Sequence, residues 1–144
     1  MQVQQILKSK GDGNVFTVKP GSSVADAAKL LAEKRIGTVI ISKSGTSAEG
    51  ILSERDIVRE LAARGAECLS ANVDDYMTRD LVTCTRAEMS DAVLAKMTEG
   101  RFRHMPVVED GELIGLITLG DVVKARLSQL AMEKDALEGM IMGH

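Results

Sequence analysis

The sequence predicts an α/β fold: two copies of one β-α-β-β-α unit, packed as a single pseudo-twofold module with an extended C-terminal helix. Three observations carry this. A seven-residue motif, Gly-apolar-apolar-Ser/Thr-x-x-Asp, occurs as GILSERD at Gly50–Asp56 and as GLITLGD at Gly115–Asp121, 65 positions apart. The flanks agree: Ile57-Val58-Arg59 follows the first copy and Val122-Val123-Lys124 the second, while Val24–Ala28 lines up with Met89–Val93 and Val15–Thr17 with Leu81–Thr83. Apolar spacing also switches between helical and extended periods in the same order in both halves.

Each copy opens on a short extended segment, Val15–Val18 or Leu81–Cys84. A helix follows, because Val24, Ala27, Ala28 and Leu31 fall at i, i+3, i+4 and i+7. Its counterpart is expected to use Met89, Ala92, Val93 and Met97. The β-branched run Thr38–Ile41 reads as a strand, matched by Met105–Val108. The next turn is loose and polar at Lys43–Glu49 and tight at Glu109–Gly111, where Asp-Gly signals a hairpin. A second strand, Gly50–Leu52 or Leu113–Ile117, leads into a second helix at Asp56 or Asp121. After Val123, the apolar residues Leu127, Leu130, Leu137 and Met140–Met142 keep helical spacing, so this helix is expected to outrun the module. It would pack on its own module or on a second chain. The expected divisions are 8–64 for the first repeat, 74–130 for the second and 131–144 for the helical tail. Gly65–Tyr76 lacks linker composition, which argues for one rigid body.

Composition narrows the function. A chain of 144 residues fits one compact unit that folds without disulfide or metal. A net charge of −3 argues against a nucleic-acid binder, and two Phe, one Tyr and no Trp argue against a stacking platform for single strands. Cys68 and Cys84 form no metal spacing and suit a reducing compartment. No apolar run approaches the roughly 18 residues of a membrane span. Met1–Gly13 has no apolar signal-peptide core, so a cytoplasmic protein is expected.

Catalysis has little support. The two histidines are His104 and His144, and neither sits in a nucleophile or zinc motif. Ser53-x-x-Asp56 and Thr118-x-x-Asp121 read first as capping boxes. The same geometry also suits a ligand: a helix N-terminus presents N–H groups to an anion, and its carboxylate can accept a ribose diol. Arg101-Phe102-Arg103-His104-Met105-Pro106 reads as a solvated basic turn or as a phosphate clamp. The first copy has Gly37-Thr38 at the positions of Arg103-His104, so the two halves of a cleft would differ.

Taken together, GILSERD, GLITLGD and RHMPVV resemble the repeats of cystathionine-β-synthase (CBS) domains, and two copies resemble a CBS pair, or Bateman module, of the stand-alone bacterial type. The resemblance implies a regulatory module, not an enzyme. It would bind an adenosine-containing ligand in the cleft between repeats: AMP first, or ADP, ATP or NAD, with S-adenosylmethionine a further member of the class. It implies one site with Asp56 on the ribose, Ser53 on ribose or phosphate, Arg103 and His104 on phosphate, and Val82 and Thr83 on the base. A pseudo-symmetric site would use Asp121 and Thr118, with Phe16, Thr17 and Lys19 on the base and phosphate side and Gly37-Thr38 in place of the basic pair. A homodimer is expected, through second-helix faces around Ile57, Val58 and Leu61 and around Val122, Val123 and Leu127, together with an unidentified effector protein. The competing reading is a structural interaction module whose Ser/Thr-x-x-Asp motifs are only caps.

Overall fold

The computed structural model describes residues 1–11 and 15–142; His144 lies outside them. Ten elements follow in order: α1 (Val3–Lys10), β1 (Thr17–Val18), α2 (Val24–Lys34), β2 (Thr38–Ile41), β3 (Gly50–Ser53), α3 (Glu54–Arg64), α4 (Ser90–Gly100), β4 (His104–Glu109), β5 (Glu112–Thr118) and α5 (Leu119–Ile141). Two 3-10 turns, Gly65–Ser70 and Val73–Asp75, join the halves. In the first half β1 pairs parallel with β2, which pairs antiparallel with β3. In the second, β4 and β5 form an antiparallel hairpin. Asp110 and Gly111 both have positive φ at its tip, the backbone a tight two-residue hairpin demands.

The expected strand Leu81–Cys84 survives only as a bridge from Cys84 to Val107. Pro106 explains the loss. In the first half the Ile40 amide donates to the Phe16 carbonyl at 3.0 Å. Pro106 holds the matching position and has no N–H to give. Only the outer bonds remain, Cys84 N–H to the Pro106 carbonyl at 3.0 Å and Val108 N–H to the Cys84 carbonyl at 2.9 Å.

The stripe expected on α4 is also displaced. Ser90, Val93 and Met97 are buried, whereas Met89 caps the helix and is exposed, as is Ala92. Before the hairpins the repeats are therefore offset by 66 residues, and the shorter second hairpin restores 65. His104, not Met105, stands opposite Thr118 as Thr38 stands opposite Ser53. The second helices begin at Glu54 and Leu119, two residues before Asp56 and Asp121.

Each half is closed by a segment from outside its repeat. Val73 and Met77 fill the core of Val24, Ala27, Leu31, Val39, Ile41 and Leu52. Helix α1 lies outside the repeated unit, yet Val3 and Ile6 fill the core of Cys84, Val93, Met97, Met105 and Ile117. The hydrogen bonds repeat with the packing. Val24 N–H donates to the Ala71 carbonyl at 2.9 Å, and Ser90 N–H to the Met1 carbonyl at 2.8 Å. The close approach needs glycine at two equivalent places. A β-carbon at Gly50 would strike the Met77 side chain, and one at Gly115 would lie 2.7 Å from Leu7 Cδ2.

Ile57 and Val122 point inward and are buried, contrary to the expected outer faces. Val58, Leu61, Val123 and Leu127 are exposed. None of the described helices is long and apolar enough to cross a membrane.

Candidate functional site

Strands β2 and β3, the N-terminus of α3 and the turn between α4 and β4 enclose a cleft of about 750 Å³. Ser53 and Asp56 enter from α3, Thr38 from β2, Val82 from the segment after the 3-10 turns, and Arg103 and His104 from the start of β4. A smaller cleft of about 410 Å³ shares Ser53, Arg103 and His104 with it and adds Gly37 and Thr118.

The capping box is present. Asp56 N–H donates to Ser53 Oγ at 3.2 Å, and the Ser53 N–H and hydroxyl both donate to Asp56 Oδ2, at 2.8 and 2.9 Å. Asp56 Oδ1 accepts from Arg59 at 2.6 Å, but that guanidinium is largely in solvent. Opposite stand Arg101, Arg103 and His104. Arg101 ends α4 in the left-handed conformation (φ 57°), as Arg35 ends α2. Burial pushes the His104 imidazole below its usual range, opposed by Glu54 and reinforced by the Lys10 and Arg103 charges, so the ring is neutral at pH 7. Its ring packs over Gly37, where a β-carbon would lie 3.4 Å from Nε2. The Thr38 hydroxyl is buried without a partner, one of two such side-chain atoms among the described residues; the other is Ser90 Oγ. An orphaned hydroxyl costs about 1–3 kcal/mol and is a ready contact for a ligand.

Of the remaining sequence-predicted residues, Gly37 and Thr118 line the smaller cleft. Thr83 is exposed beside Val82 and outside the cleft lining. Thr118 caps α5, its Oγ1 accepting from Asp121 N–H at 3.1 Å. Asp121 Oδ2 is 2.7 Å from Lys10 Nζ, which also donates to the Leu116 carbonyl at 2.9 Å. Burial opposes the Asp121 charge, but the Lys10 ammonium and the Thr118 N–H overcome it and hold the carboxyl below the usual range. Phe16 lies under the Lys34 ammonium, 5.6 Å from the ring centre, Thr17 is in β1, and Lys19 is exposed. None of the three lines the two clefts. The structure therefore brings Ser53, Asp56, Thr38, Val82, Arg103 and His104 together, and joins Asp121 to Thr118 and Lys10.

Sequence reasoning missed Arg55, Arg59 and Asp80, which also line the larger cleft. Arg55 occupies a variable position of a motif read only for Ser and Asp, and Arg59 lies in the flank that follows it, read only as part of the repeat. Lys10 lies on a helix with no counterpart in the repeat pattern. Among the described residues no His, Cys, Asp and Glu cluster could hold a metal ion.

Comparison with known proteins gives a consistent result. The model of the CBS domain matches residues 5–63 and 73–128. The chain is 32% identical to the mitochondrial CBS domain-containing protein CBSX3 of Arabidopsis thaliana, over 98% of this chain and 72% of that protein. It is 41% identical to the CBS-domain-containing protein ATU1752 of Agrobacterium tumefaciens, with a TM-score of 0.83 over 88% of this chain and 99% of that one. It is 25% identical to the CBS domain pair of protein MJ0100, solved with 5-methylthioadenosine and S-adenosyl-L-methionine, with a TM-score of 0.78 over 90% and 98% of the two chains.

Proposed function

This chain belongs to the CBS domain family, and from that premise we propose that it is a non-catalytic regulatory module binding an adenosine-containing nucleotide in its larger cleft. The observation that carries the reading is the convergence of Ser53 and Asp56, on a helix N-terminus, with Arg103 and His104 from the other repeat in one cleft. The adenosine ligands of the MJ0100 pair support the ligand class. Asp56 would accept the ribose diol, taking over the contact Arg59 now makes. Arg103 and neutral His104 would donate to phosphate. Ile51, Val82 and Pro106 give the cleft an apolar side for the base. Arg55, Arg59, Arg101 and Arg103 all line it, so its charge suits ADP and ATP as well as AMP.

The second reading, a structural module, is favoured by the two capping boxes, in which Ser53 and Thr118 each accept from the aspartate N–H three residues on. Thermal melts with AMP, ADP, ATP, NAD and S-adenosylmethionine separate the readings. At 100 times Kd a folded-state ligand adds about 2.7 kcal/mol, a rise of roughly 5–10 °C for a chain of this size. No rise with any of the five would leave the caps as caps.

The exposed faces of α3 and α5 further support a homodimer that reports to an effector protein. Light scattering at micromolar concentration tests the dimer.

A further inference from the structure

Only Val122 and Ala125 of the 23 residues of α5 are buried. Away from that side the helix carries a second stripe, Val123, Leu127, Leu130, Lys134, Leu137 and Ile141, spaced 4-3-4-3-4. This is a heptad seam, with Leu127, Lys134 and Ile141 at a and Val123, Leu130 and Leu137 at d. Its five apolar members are 44–85% exposed. A lone helix gains nothing from a seam of that spacing; a second helix crossing at the coiled-coil angle covers it.

We infer that α5 pairs antiparallel with α5 of a second copy along residues 123–141, an inference that rests on the proposed homodimer and fixes its geometry. The charges choose the direction. In an antiparallel pair Leu127 faces the partner's Leu137, Val123 faces the partner's Ile141, and Lys134 lies beside the partner's Leu130. The e positions then bring Lys124 to the partner's Glu138 twice over. The g positions bring Glu133 to the partner's Glu133, with both Lys134 ammonium groups beside them. A parallel pair stacks Lys134 on the partner's Lys134, sets Glu133 against the partner's Glu138 on both flanks, and loses both Lys124–Glu138 attractions. Lys134 makes only a loose 3.8 Å contact with Glu138 of its own helix, so its head is free to turn to the flank while its stem stays in the seam.

The full chain tests this by light scattering and sedimentation at low ionic strength. Leu130→Asp and Leu137→Asp, both at exposed positions, should each raise the dimer Kd at least roughly tenfold with the far-ultraviolet circular dichroism spectrum of the folded chain retained. Lys124→Glu should weaken the dimer by about tenfold, and Lys124→Glu with Glu138→Lys should restore it. In a parallel pair Lys124 lies beside the partner's Leu119, so Lys124→Glu alone would leave Kd unchanged and Glu138→Lys alone would tighten the dimer by relieving Glu133; either result overturns the inference. Leu137→Cys adds a third readout against buried Cys68 and Cys84. Oxidation to a covalent dimer would place the two d positions together, as only a parallel pair does, and would overturn the inference. A dimer indifferent to Leu130→Asp and Leu137→Asp overturns it too, while the homodimer stands. A wild-type monomer at micromolar concentration overturns the homodimer and the pairing with it.

Discussion

Asp56 and Asp121 occupy the same place in the same motif, yet their surroundings give them different tasks. Asp56 is held by a serine cap and a solvated arginine that can leave; Asp121 is held by a part-buried lysine. Asp56→Ala should abolish any nucleotide-induced rise in melting temperature while lowering the melt of the free protein by no more than a cap's worth, about 0.5–2 kcal/mol. Arg103→Ala should weaken AMP far more than adenosine in a calorimetric titration, and equal weakening of both would remove Arg103 from the phosphate. His104 adds a pH dependence. Its folded pKa is depressed by burial, so the unfolded chain takes up the proton first as pH falls below about 6.5. Stability should decline from there down through the folded value. Urea unfolding at pH 7 and 5 would show it, and His104→Gln should flatten this part of the profile.

At the scale of elements, what the sequence revealed was what repeats. The hairpins, α2, α3 and the long α5 follow from periodicity and from the two GhhS/T motifs. Two departures were not legible because each rests on a contact between distant residues. Pro106 reads as an ordinary edge-strand residue until its partner Val82 is known, and then its missing N–H explains the absent strand. Helix α1 and the 3-10 turns stand outside the aligned motifs, and their few buried residues serve the core of a repeat they do not belong to. Arg55 and Arg59 were hidden for a related reason: their use depends on which strand ends face the same cleft. The glycine contact gives a test. Gly50→Ala should cost about 1–3 kcal/mol in chemical denaturation, since Met77 must yield. Gly50→Ala with Met77→Ala should cost less than the two single changes added, because the collision disappears. Strict additivity would mean that the segment after the 3-10 turns does not press on β3. Cys84 reports on the other core: burial pushes its thiol up to about 12, with the nearby Glu88 charge adding to the shift. The unfolded thiol ionises near pH 8.5 while the folded one does not, so stability should fall as pH rises above that value, and Cys84→Ala should remove this loss.

For the whole molecule, the two repeats share a fold but not an equal claim on ligand. Helix α1 closes the second half's core with Val3 and Ile6, and its last turn delivers Lys10 to Asp121 and to the Leu116 carbonyl. An ammonium 2.7 Å from the carboxylate occupies the place a ribose diol would take, and it comes from the same chain at no cost in association entropy. The expected outcome is one nucleotide per chain, bound at the Asp56 side. Lys10→Met keeps the stem that packs in α1 and removes the charge. It should raise the stoichiometry in a saturation titration toward two, with the second binding weaker because Gly37-Thr38 stands where the first cleft has Arg103-His104. Acid should not mimic the mutation, because protonation breaks the tie by removing the carboxylate that would accept the diol. The folded pKa of Asp121 is depressed, so the tie is intact above the ordinary carboxylate range and is lost as pH falls through the folded value. Two equivalents bound by the wild-type chain at neutral pH would show that Lys10 yields to ligand. A stoichiometry of one in both wild type and Lys10→Met would place the limit in the missing basic pair, not in the lysine.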